Sequence, residues 1–242
     1  MFIADVTQAL AVFAHPDDAE HMFGGTVARL VGQGASVDYV VCTDGANGSP
    51  DASISGAELA ATRYAELRAA ADVLGVGEIA ALGYPNDELE PNTDLKRDLV
   101  RQIRRFRPEV ILTLAWQRLP DAPLGFTHAD HMAAAEATLA ASYPLSYKPQ
   151  IFPELLDEGF EPHRATEVWT TAIGDANLYV DVTDQAATKL EAIWCHTSQN
   201  ADAGGDRDGY FERRIAPPML EAGDRIGCQY AERFLRVPTK RE

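Results

Sequence analysis

The chain has 242 residues, of which 46% are hydrophobic and 24% charged, as is typical of a globular protein with a sizeable buried core. Asp and Glu outnumber Lys and Arg by 37 to 21, which gives a formal net charge of -16. Such a field repels phosphate backbones, so we expect no nucleic-acid partner. The length favours one α/β domain.

The three cysteines, Cys42, Cys195 and Cys228, are scattered and form no CxxC pair. Neither a disulfide framework nor a thiolate zinc site is therefore indicated, and we expect reduced thiols. The amino terminus shows no basic segment followed by an apolar stretch and a cleavage site, and no apolar run is long enough to span a bilayer. These observations predict a cytoplasmic protein, and a homo-oligomer is compatible with them.

Apolar runs and helical patterns alternate along the first part of the chain. The patterns predict strands at 10–14, 35–43, 79–82 and 110–115, and helices at 24–33, 55–74, 94–106 and 128–142. The second helix opens on Ser55 and Glu58, which match a capping box. With right-handed crossovers, this alternation predicts a Rossmann-like, doubly wound α/β fold with a mainly parallel sheet and helices on both faces.

The second part of the chain breaks this rhythm. A segment rich in proline and aromatic residues, 143–164, is expected to form a wall or lid beside the site. Further strands are predicted at 168–173 and 178–182, followed by a helix at 184–195. The polar loop 197–209 is expected to be mobile, and Pro217-Pro218 to interrupt the C-terminal region.

Two polar clusters follow two of the predicted strands. The first strand ends at 15–18, with the sequence HPDD, and the fourth is followed by a loop that leads to 128–131, with the sequence HADH. In the common strand order 3-2-1-4, strands one and four are neighbours at the topological switch point. We therefore expect the two clusters to face each other across one crevice, although more than a hundred residues separate them.

The residue types in these clusters suit metal-assisted hydrolysis. Two histidines and one carboxylate, with one position open for water, form a hydrolytic zinc site. A neighbouring carboxylate can accept the proton of the metal-activated water, and a histidine can stabilise the oxyanion or protonate a leaving amine. The clusters hold one spare acid and one spare histidine, so the inventory fits an amide hydrolase.

Simpler interpretations of the same residues exist. An Asp pair after a strand is often only a helix N-cap, which is the alternative role for Asp17. Arg63 is most simply a solvated side chain or an ion-pair partner of Glu66. The histidines outside the two clusters are expected to be surface or packing residues: His21, His163 and His196.

Two other classes of function use similar features. Non-haem iron(II) oxygenases bind their metal with two histidines and one carboxylate, but the α/β pattern and the spare base argue against this class. A non-catalytic sugar- or nucleotide-binding module on the same fold is the second alternative. Such a module would bind no divalent metal, which separates it from the hydrolase.

At the residues described above, the chain resembles the LmbE-like, or PIG-L, family of zinc-dependent N-deacetylases. This family includes deacetylases of N-acetylglucosaminyl-phosphatidylinositol and of mycothiol and bacillithiol precursors. The shared motifs, in family order, are AHPDD at 14–18, GGT at 24–26, RxxE at 63–66 and HxDH at 128–131, with a weaker match, KLEAIWCHTSQ, at 189–199. The resemblance covers most of the chain and implies a single deacetylase domain over 1–242, in which 143–242 supplies the wall or lid and the C-terminal elements.

The resemblance also implies roles for individual residues. It implies that His15, Asp18 and His131 bind the metal and that Asp17 is the general base. It also implies that His128 aids the oxyanion and the leaving amine, with Asp130 orienting the His128 imidazole.

Several residues of the implied substrate site differ from those common in the family. Arg63 matches an arginine that lines the substrate site in the family. Asn86 stands where many relatives carry an aspartate associated with sugar hydroxyls, and Asp87 is the candidate substitute. Phe126 lies where some thiol-pathway members have a tyrosine, which weakens the case for the mycothiol precursor. Ala129 replaces a proline of the commoner HPDH motif without loss of a chemical group.

The sequence therefore predicts a metal-dependent N-deacetylase with Zn²⁺ as cofactor and Fe²⁺ as the alternative metal. The expected partner is a small-molecule N-acetylated amino sugar or glycoside. An amidase acting on a thiol conjugate or an antibiotic intermediate is the alternative within the hydrolase class.

Overall fold

A mixed sheet of seven strands is the centre of the fold. The computed structural model describes residues 3–49, 51, 53–118, 127–200 and 204–240. The strands are β1 (Gln8–Phe13), β2 (Ser36–Thr43), β3 (Ile79–Tyr84), β4 (Val110–Thr113), β5 (Glu167–Thr171), β6 (Leu178–Asp181) and β7 (Ala231–Pro238). Their order is β3-β2-β1-β4-β5-β7-β6, with β1 to β5 parallel and β7 antiparallel to both of its neighbours.

Helices cover both faces of this sheet. They are α1 (Asp18–Gly32), α2 (Gly56–Leu74), α3 (Thr93–Phe106), α4 (Ala129–Ala140), α5 (Glu154–Asp157), α6 (Ala186–Trp194), α7 (Arg207–Tyr210) and α8 (Ala216–Asp224). Helix α1 packs with α2 and α6, whereas α3 packs with α4. This arrangement confirms the predicted doubly wound α/β fold. In the described part of the chain, no helix has the length and apolarity needed to cross a membrane.

The first strand lies at the middle of the parallel region. β1 pairs with β2 on one side and with β4 on the other, as the strand order 3-2-1-4 predicts. Its side chains are buried on both faces, which explains why the sequence shows a continuous apolar run and not an alternating one. The carboxyl ends of β1 and β4 are therefore neighbours, and whatever follows them meets at one edge of the sheet.

Helix α1 bends sharply at Phe23, whose φ of -146° and ψ of 19° are not helical. The bend leaves two amide groups without helical partners, and the carboxylate of Glu232 accepts from the N–H of Gly25 at 3.0 Å and from that of Thr26 at 2.7 Å. Lys189 Nζ lies 2.5 Å from the same carboxylate, which is fully buried together with the lysine. The GGT motif is thus the amino terminus of the longer half of α1.

The predicted start of α2 is confirmed in detail. The Ser55 side chain accepts from the Glu58 amide, and the Glu58 side chain reaches back to the Ser55 amide, which completes the capping box. The helix ends at Gly75, whose φ of 75° is the left-handed conformation typical of a glycine after a helix.

The segment predicted to form a wall or lid, 143–164, lies at the opposite edge of the sheet. Arg104, near the end of α3, donates to the carbonyl of Ser146 at 3.0 Å. His163 Nε2 lies 2.7 Å from the carbonyl of Pro108, which precedes β4. These contacts are at the amino-terminal side of β4, and the residues that line the cavity described below come from other parts of the chain, so the wall or lid stays a prediction.

The C-terminal region also differs from the prediction. Pro217 and Pro218 do not interrupt a helix but occupy the first turn of α8, where a missing N–H costs no helical hydrogen bond. Strand β7 was not predicted, because charged and apolar residues do not alternate cleanly along Ala231–Pro238. Of the loop 197–209, residues 201–203 lie outside the described part of the chain.

Candidate active site

The two predicted clusters, 15–18 and 128–131, meet at the carboxyl edge of the sheet. His15 follows β1, and His131 lies in the first turn of α4, which follows β4; His15 Nδ1 and His131 Nε2 are 3.1 Å apart. The prediction that the clusters converge is confirmed. A cavity of about 320 Å³ opens here and is lined by His15, Asp17, Asp18, Asn47, Gly48, Arg63, Asn86, Asp87, His128 and His131.

Three buried side chains form the centre of this site. His131 Nε2 lies 3.0 Å from Asp18 Oδ1, and His15 Nδ1 lies 3.5 Å from Asp18 Oδ2. The backbone N–H of His15 donates to the same carboxylate at 2.8 Å, which fixes the turn between the two residues. Two imidazole nitrogens and a carboxylate that point at one another at such distances form a donor set for a divalent cation. The predicted ligand residues are thus brought together.

A third histidine lies beside this centre. The three imidazoles of His15, His128 and His131 can each offer a nitrogen within 4.8 Å of the others. Both nitrogens of His128 already have partners, however: Nδ1 accepts from the Asp130 amide at 3.3 Å, and Nε2 lies 3.3 Å from Asp87 Oδ1. Its side chain is also 38% exposed, against 11% for His15 and His131, so His128 faces the cavity and not the centre.

Asp130 has a different partner from the one implied by the resemblance. Its carboxylate does not bond to the His128 ring; instead, Oδ2 lies 3.1 Å from His15 Nε2. The same carboxylate accepts from the amides of Asp87 at 2.8 Å and Leu89 at 3.3 Å. Since Nδ1 of His15 points at the centre, Asp130 orients this imidazole from behind, as carboxylates do in metal sites. Asp130 therefore supports His15, and only its backbone touches His128.

Burial and charge act in opposite directions on this centre. Burial lowers the pKa of His15, but the carboxylates of Asp18 and Asp130 outweigh it and raise that pKa to about 10. Burial raises the pKa of the Asp18 carboxyl, but His131 and His15 outweigh it and hold the pKa well below its usual range. For Asp130 the hydrogen bonds from His15 and the Asp87 amide likewise overcome burial and lower the pKa. The site thus concentrates negative charge that a cation can balance.

The second carboxylate of the first cluster points elsewhere. Asp17 precedes α1, but its side chain makes no capping hydrogen bond. Asp17 Oδ1 lies 2.9 Å from Arg63 Nη2, and Arg63 also donates to the Gly45 carbonyl at 3.2 Å. Arg63 is 3% exposed and so is not solvated, and among the described residues Glu66 accepts from Thr197 and Ser198 and has no ion pair with Arg63. The N-cap and surface interpretations are therefore both wrong.

The loop after β3 completes the mouth of the cavity. The Asn86 carbonyl accepts from Asn47 Nδ2 at 2.9 Å, and its amide donates to Asp44 Oδ1 at 3.3 Å. Asp87 adopts a φ of +70°. Arg63, Asn86 and Asp87, which were predicted to bind substrate, are all brought to the cavity, whereas Phe126 lies outside the described residues.

Sequence reasoning missed two residues that line the cavity, Asn47 and Gly48. Their signal was their position in a turn-rich loop after β2, the strand next to β1. A Cβ on Gly48 would lie 2.1 Å from Arg63 Nη1, so a larger residue would force the guanidinium that pairs with Asp17 to shift.

The weaker motif at 189–199 supports the site from behind. His196 and Glu20 are completely buried, with Nε2 and Oε2 3.0 Å apart. Glu66, three residues after Arg63, accepts from the hydroxyls of Thr197 and Ser198, both at 2.6 Å. Burial lowers the pKa of His196, but Glu20 outweighs it and the net effect raises that pKa. The expectation that this histidine is structural agrees with its contacts.

Known proteins share this fold and these motifs. A profile of the PIG-L family, described as GlcNAc-PI de-N-acetylase, matches residues 10–142. The diacetylchitobiose deacetylase of Thermococcus kodakarensis is 32% identical over 239 residues, which cover 97% of this chain and 84% of that protein. The 1D-myo-inositol 2-acetamido-2-deoxy-alpha-D-glucopyranoside deacetylase of Actinosynnema mirum is 29% identical over 255 residues, which cover 87% of this chain and 88% of that protein. The structure of N,N'-diacetylchitobiose deacetylase from Pyrococcus horikoshii, complexed with its inhibitor MPG, has a TM-score of 0.87 and 31% identity, covering 97% of this chain and 85% of that one.

The α/β fold and the cluster of histidines and aspartates define a metal-dependent hydrolase. More specifically, the chain belongs to the PIG-L family of de-N-acetylases and is an amide hydrolase. The resemblance and the class of enzyme predicted from the sequence are thus confirmed. Membership of this family favours the hydrolase over both the oxygenase and the non-catalytic module.

Proposed function

We propose that the chain is a zinc-dependent N-deacetylase that hydrolyses the N-acetyl amide of an amino sugar or glycoside. The observation that carries the proposal is the convergence of His15, Asp18 and His131 beside a second carboxylate, Asp17, in one cavity. The deacetylases among its relatives support an N-acetylated amino sugar as the substrate. A cytoplasmic location remains part of this proposal.

The metal would be held by His15 Nδ1, the Asp18 carboxylate and His131 Nε2. Two imidazoles and one carboxylate suit Zn²⁺, and Fe²⁺ accepts the same set, which makes iron(II) the alternative metal. Facing nitrogens of two buried imidazoles, 3.1 Å apart beside a carboxylate, fit this assignment. When bound, the ion would polarise the substrate carbonyl and lower the pKa of a bound water.

Asp17 is the proposed general base. Its ion pair with Arg63 fixes the carboxylate through one oxygen, 2.9 Å from the guanidinium. The second oxygen is then available to accept a proton from the attacking water. Asp17 and Asp18 are adjacent but face different partners. Asp18 would therefore bind the metal, while Asp17 would accept the proton of the water.

His128 is the proposed partner of the carbonyl oxygen. Its ring lines the cavity, 5.1 Å from the ring of His15 and 5.5 Å from that of His131, and its Nε2 lies 3.3 Å from Oδ1 of Asp87, which also lines the cavity. The proton on this nitrogen can stabilise the tetrahedral oxyanion by a hydrogen bond, and the protonated Asp17 carboxyl can then donate its proton to the departing nitrogen. The proton that Asp17 takes from water balances the one that the amine receives.

The cavity fits the reacting end of a sugar. Its volume of about 320 Å³ lies at the lower end of small-molecule sites, which suits one ring with its acetamido group. Asn86 is 5% exposed and lines the cavity, and its Oδ1 has no hydrogen-bond partner among the described residues. Its side-chain amide is therefore a candidate to bind a sugar hydroxyl.

Acetate release tests the proposal. Purified protein is stripped with a chelator, reloaded with zinc or iron(II), and offered N-acetylglucosamine, N,N'-diacetylchitobiose and an N-acetylglucosaminyl inositol. We expect acetate from at least one sugar with reloaded protein and none with stripped protein. Protein that is fully loaded with metal and releases no acetate from any of these sugars would refute the proposed substrate class.

A further inference from the structure

Asp87 combines an unusual backbone with a contact to the site. Its φ of +70° is in the left-handed region, which glycine adopts freely and other residues rarely do. Its amide donates to Asp130 Oδ2 at 2.8 Å, so the conformation is held by a buried partner. Aspartate occupies this region more readily than most side chains, and the Asp87 side chain lines the cavity.

The Asp87 side chain touches only one of the candidate catalytic groups. Oδ1 lies 3.3 Å from Nε2 of His128. The other ring nitrogen, Nδ1, accepts from the Asp130 amide at 3.3 Å. Because a backbone N–H only donates, Nδ1 carries no proton, and the proton of the neutral ring is on Nε2. The imidazole is therefore held in a single tautomer between an amide and a carboxylate.

We infer that Asp87 is a positioning residue for His128. Its carboxylate accepts the Nε2–H hydrogen bond and holds the ring in the tautomer and rotation that present this proton to the substrate. The two side chains are 51% and 38% exposed, so the pair is open to the cavity and the substrate can replace the carboxylate. The inference rests on the proposed function, because that function is what assigns a catalytic role to His128.

This role differs from the substrate contact that the resemblance implied for Asp87. The neighbouring residue, Asn86, is buried and lines the cavity with an unpartnered oxygen among the described residues. Asn86 is therefore the better candidate to bind a sugar hydroxyl. The two adjacent side chains therefore have different roles: Asn86 binds the substrate, and Asp87 positions His128.

Three variants of the zinc-loaded enzyme test the inference with N,N'-diacetylchitobiose. Asp87→Gly removes the carboxylate and relieves the backbone strain, and Asp87→Asn keeps an acceptor oxygen and a residue that tolerates positive φ. Arg107→Gly is the matched control, since Arg107 has a φ of +52° at the end of α3 and does not line the cavity.

We expect kcat of Asp87→Gly to fall about tenfold to a hundredfold, the range found when a supporting partner of a site residue is lost. KM should change by less than about twofold, because the substrate contacts stay in place. Asp87→Asn should recover part of kcat, and Arg107→Gly should keep all of it. Both glycine variants should melt at the wild-type temperature or above it.

Nitrogen-15 NMR of histidine-labelled protein gives a readout that needs no activity. In the wild type the neutral ring of His128 should show a protonated Nε2 and an unprotonated Nδ1. In Asp87→Gly these signals should move toward a mixture of tautomers, whereas a merely structural role would leave them in place.

Unchanged kcat in Asp87→Gly would overturn the inference, and so would a higher KM at unchanged kcat. A fall in kcat with an unaltered His128 spectrum would also overturn it, because Asp87 would then act by another route. If the wild-type enzyme releases no acetate from any of the three sugars named above, the proposed function fails, and the NMR comparison alone decides whether Asp87 sets the tautomer of His128.

Discussion

Two adjacent aspartates in this site, Asp17 and Asp18, have different partners, and the backbone turn determines which partner each side chain faces. Asp18 begins α1, accepts from the His15 amide and lies beside His131. Asp17, one residue earlier, turns toward α2 and pairs with Arg63. Neither residue type nor spacing distinguishes the two acids, but the strand-to-helix turn sends their side chains in different directions.

Asp17→Asn separates metal binding from catalysis. The amide keeps the size of the carboxylate but cannot accept a proton from water at neutral pH, so kcat should fall roughly a hundredfold or more. Metal content should be unchanged, because the Asp17 carboxylate pairs with Arg63 and has no hydrogen bond to the side chain of His15 or His131 among the described residues. Acetate release and elemental analysis of the same sample check both statements. Full activity in this variant would end the role of Asp17 as base.

Asp130→Asn tests the corrected role of that residue. The neutral amide accepts a weaker hydrogen bond from His15 Nε2, so the affinity for zinc should fall about tenfold to a hundredfold. Competition with a chromophoric chelator measures this affinity. Asp17→Asn, which should bind zinc as the wild type does, is the control. If zinc affinity is unchanged in Asp130→Asn while kcat falls, the residue acts on His128 after all.

At the scale of elements, the bend in α1 connects the amino half of the chain to its last strand. Gly25 and Thr26 donate to Glu232 of β7, and Lys189 of α6 neutralises that carboxylate. The GGT motif is therefore a packing feature that binds the Glu232 carboxylate, about two helical turns after Asp18 in α1.

Gly25→Ala should destabilise the fold. An added Cβ would lie 2.9 Å from Val182 Cβ and 3.0 Å from Glu232 Oε1, so the neighbours must shift, at a cost of about 1–3 kcal/mol. Gly32→Ala in the same helix is the matched control, since its Cβ would meet nothing within 4 Å. That control should be neutral or stabilising by about 0.5–1 kcal/mol. Denaturant unfolding checks both, and equal effects in the two variants would contradict this account.

The buried pair of His196 and Glu20 predicts a pH-dependent stability. The folded-state pKa of His196 is raised above its ordinary value of 6.5, so its contribution is fully present below that value and is lost as pH rises through the folded pKa. The difference in unfolding free energy between wild type and His196→Gln should therefore shrink as pH rises above the ordinary histidine pKa of 6.5.

His163→Gln is the control, because the stability contribution of His163 should depend on pH in the opposite direction. Burial lowers the pKa of His163, so its contribution is present above 6.5 and is lost as pH falls. The difference in unfolding free energy between wild type and His196→Gln could instead grow with pH, or follow the same pH dependence as that of His163→Gln. Either result would show that Glu20 does not stabilise the protonated imidazole of His196.

The elements and the ligand set were accessible from the sequence, whereas several contacts were not. Periodicity placed β1 to β4 and their helices, because apolar runs and caps are local signals. The pairing of Asp130 with His15 is not local, since it joins residues 115 positions apart. Strand β7 was missed for a related reason: its place between β5 and β6 depends on tertiary pairing and not on its own pattern.

At the scale of the whole molecule, the doubly wound topology makes the site. It sets β1 beside β4, so two clusters that are far apart in the chain meet at one edge of the sheet. The net charge of -16 adds a long-range field that favours cations over anions near this edge. A divalent cation between His15, Asp18 and His131 would tie the two halves of the parallel sheet together, as well as serve the reaction.

The most direct test is a crystal structure of the zinc-loaded protein with data collected at the zinc absorption edge. We expect one anomalous peak bonded to His15 Nδ1, the Asp18 carboxylate and His131 Nε2 at about 2.0–2.2 Å, with the Asp17 carboxylate close but not bonded. A peak bonded instead to His128 and Asp87, or no peak between residues 15 and 131 at saturating zinc, would contradict the metal site on which the proposed deacetylase mechanism depends.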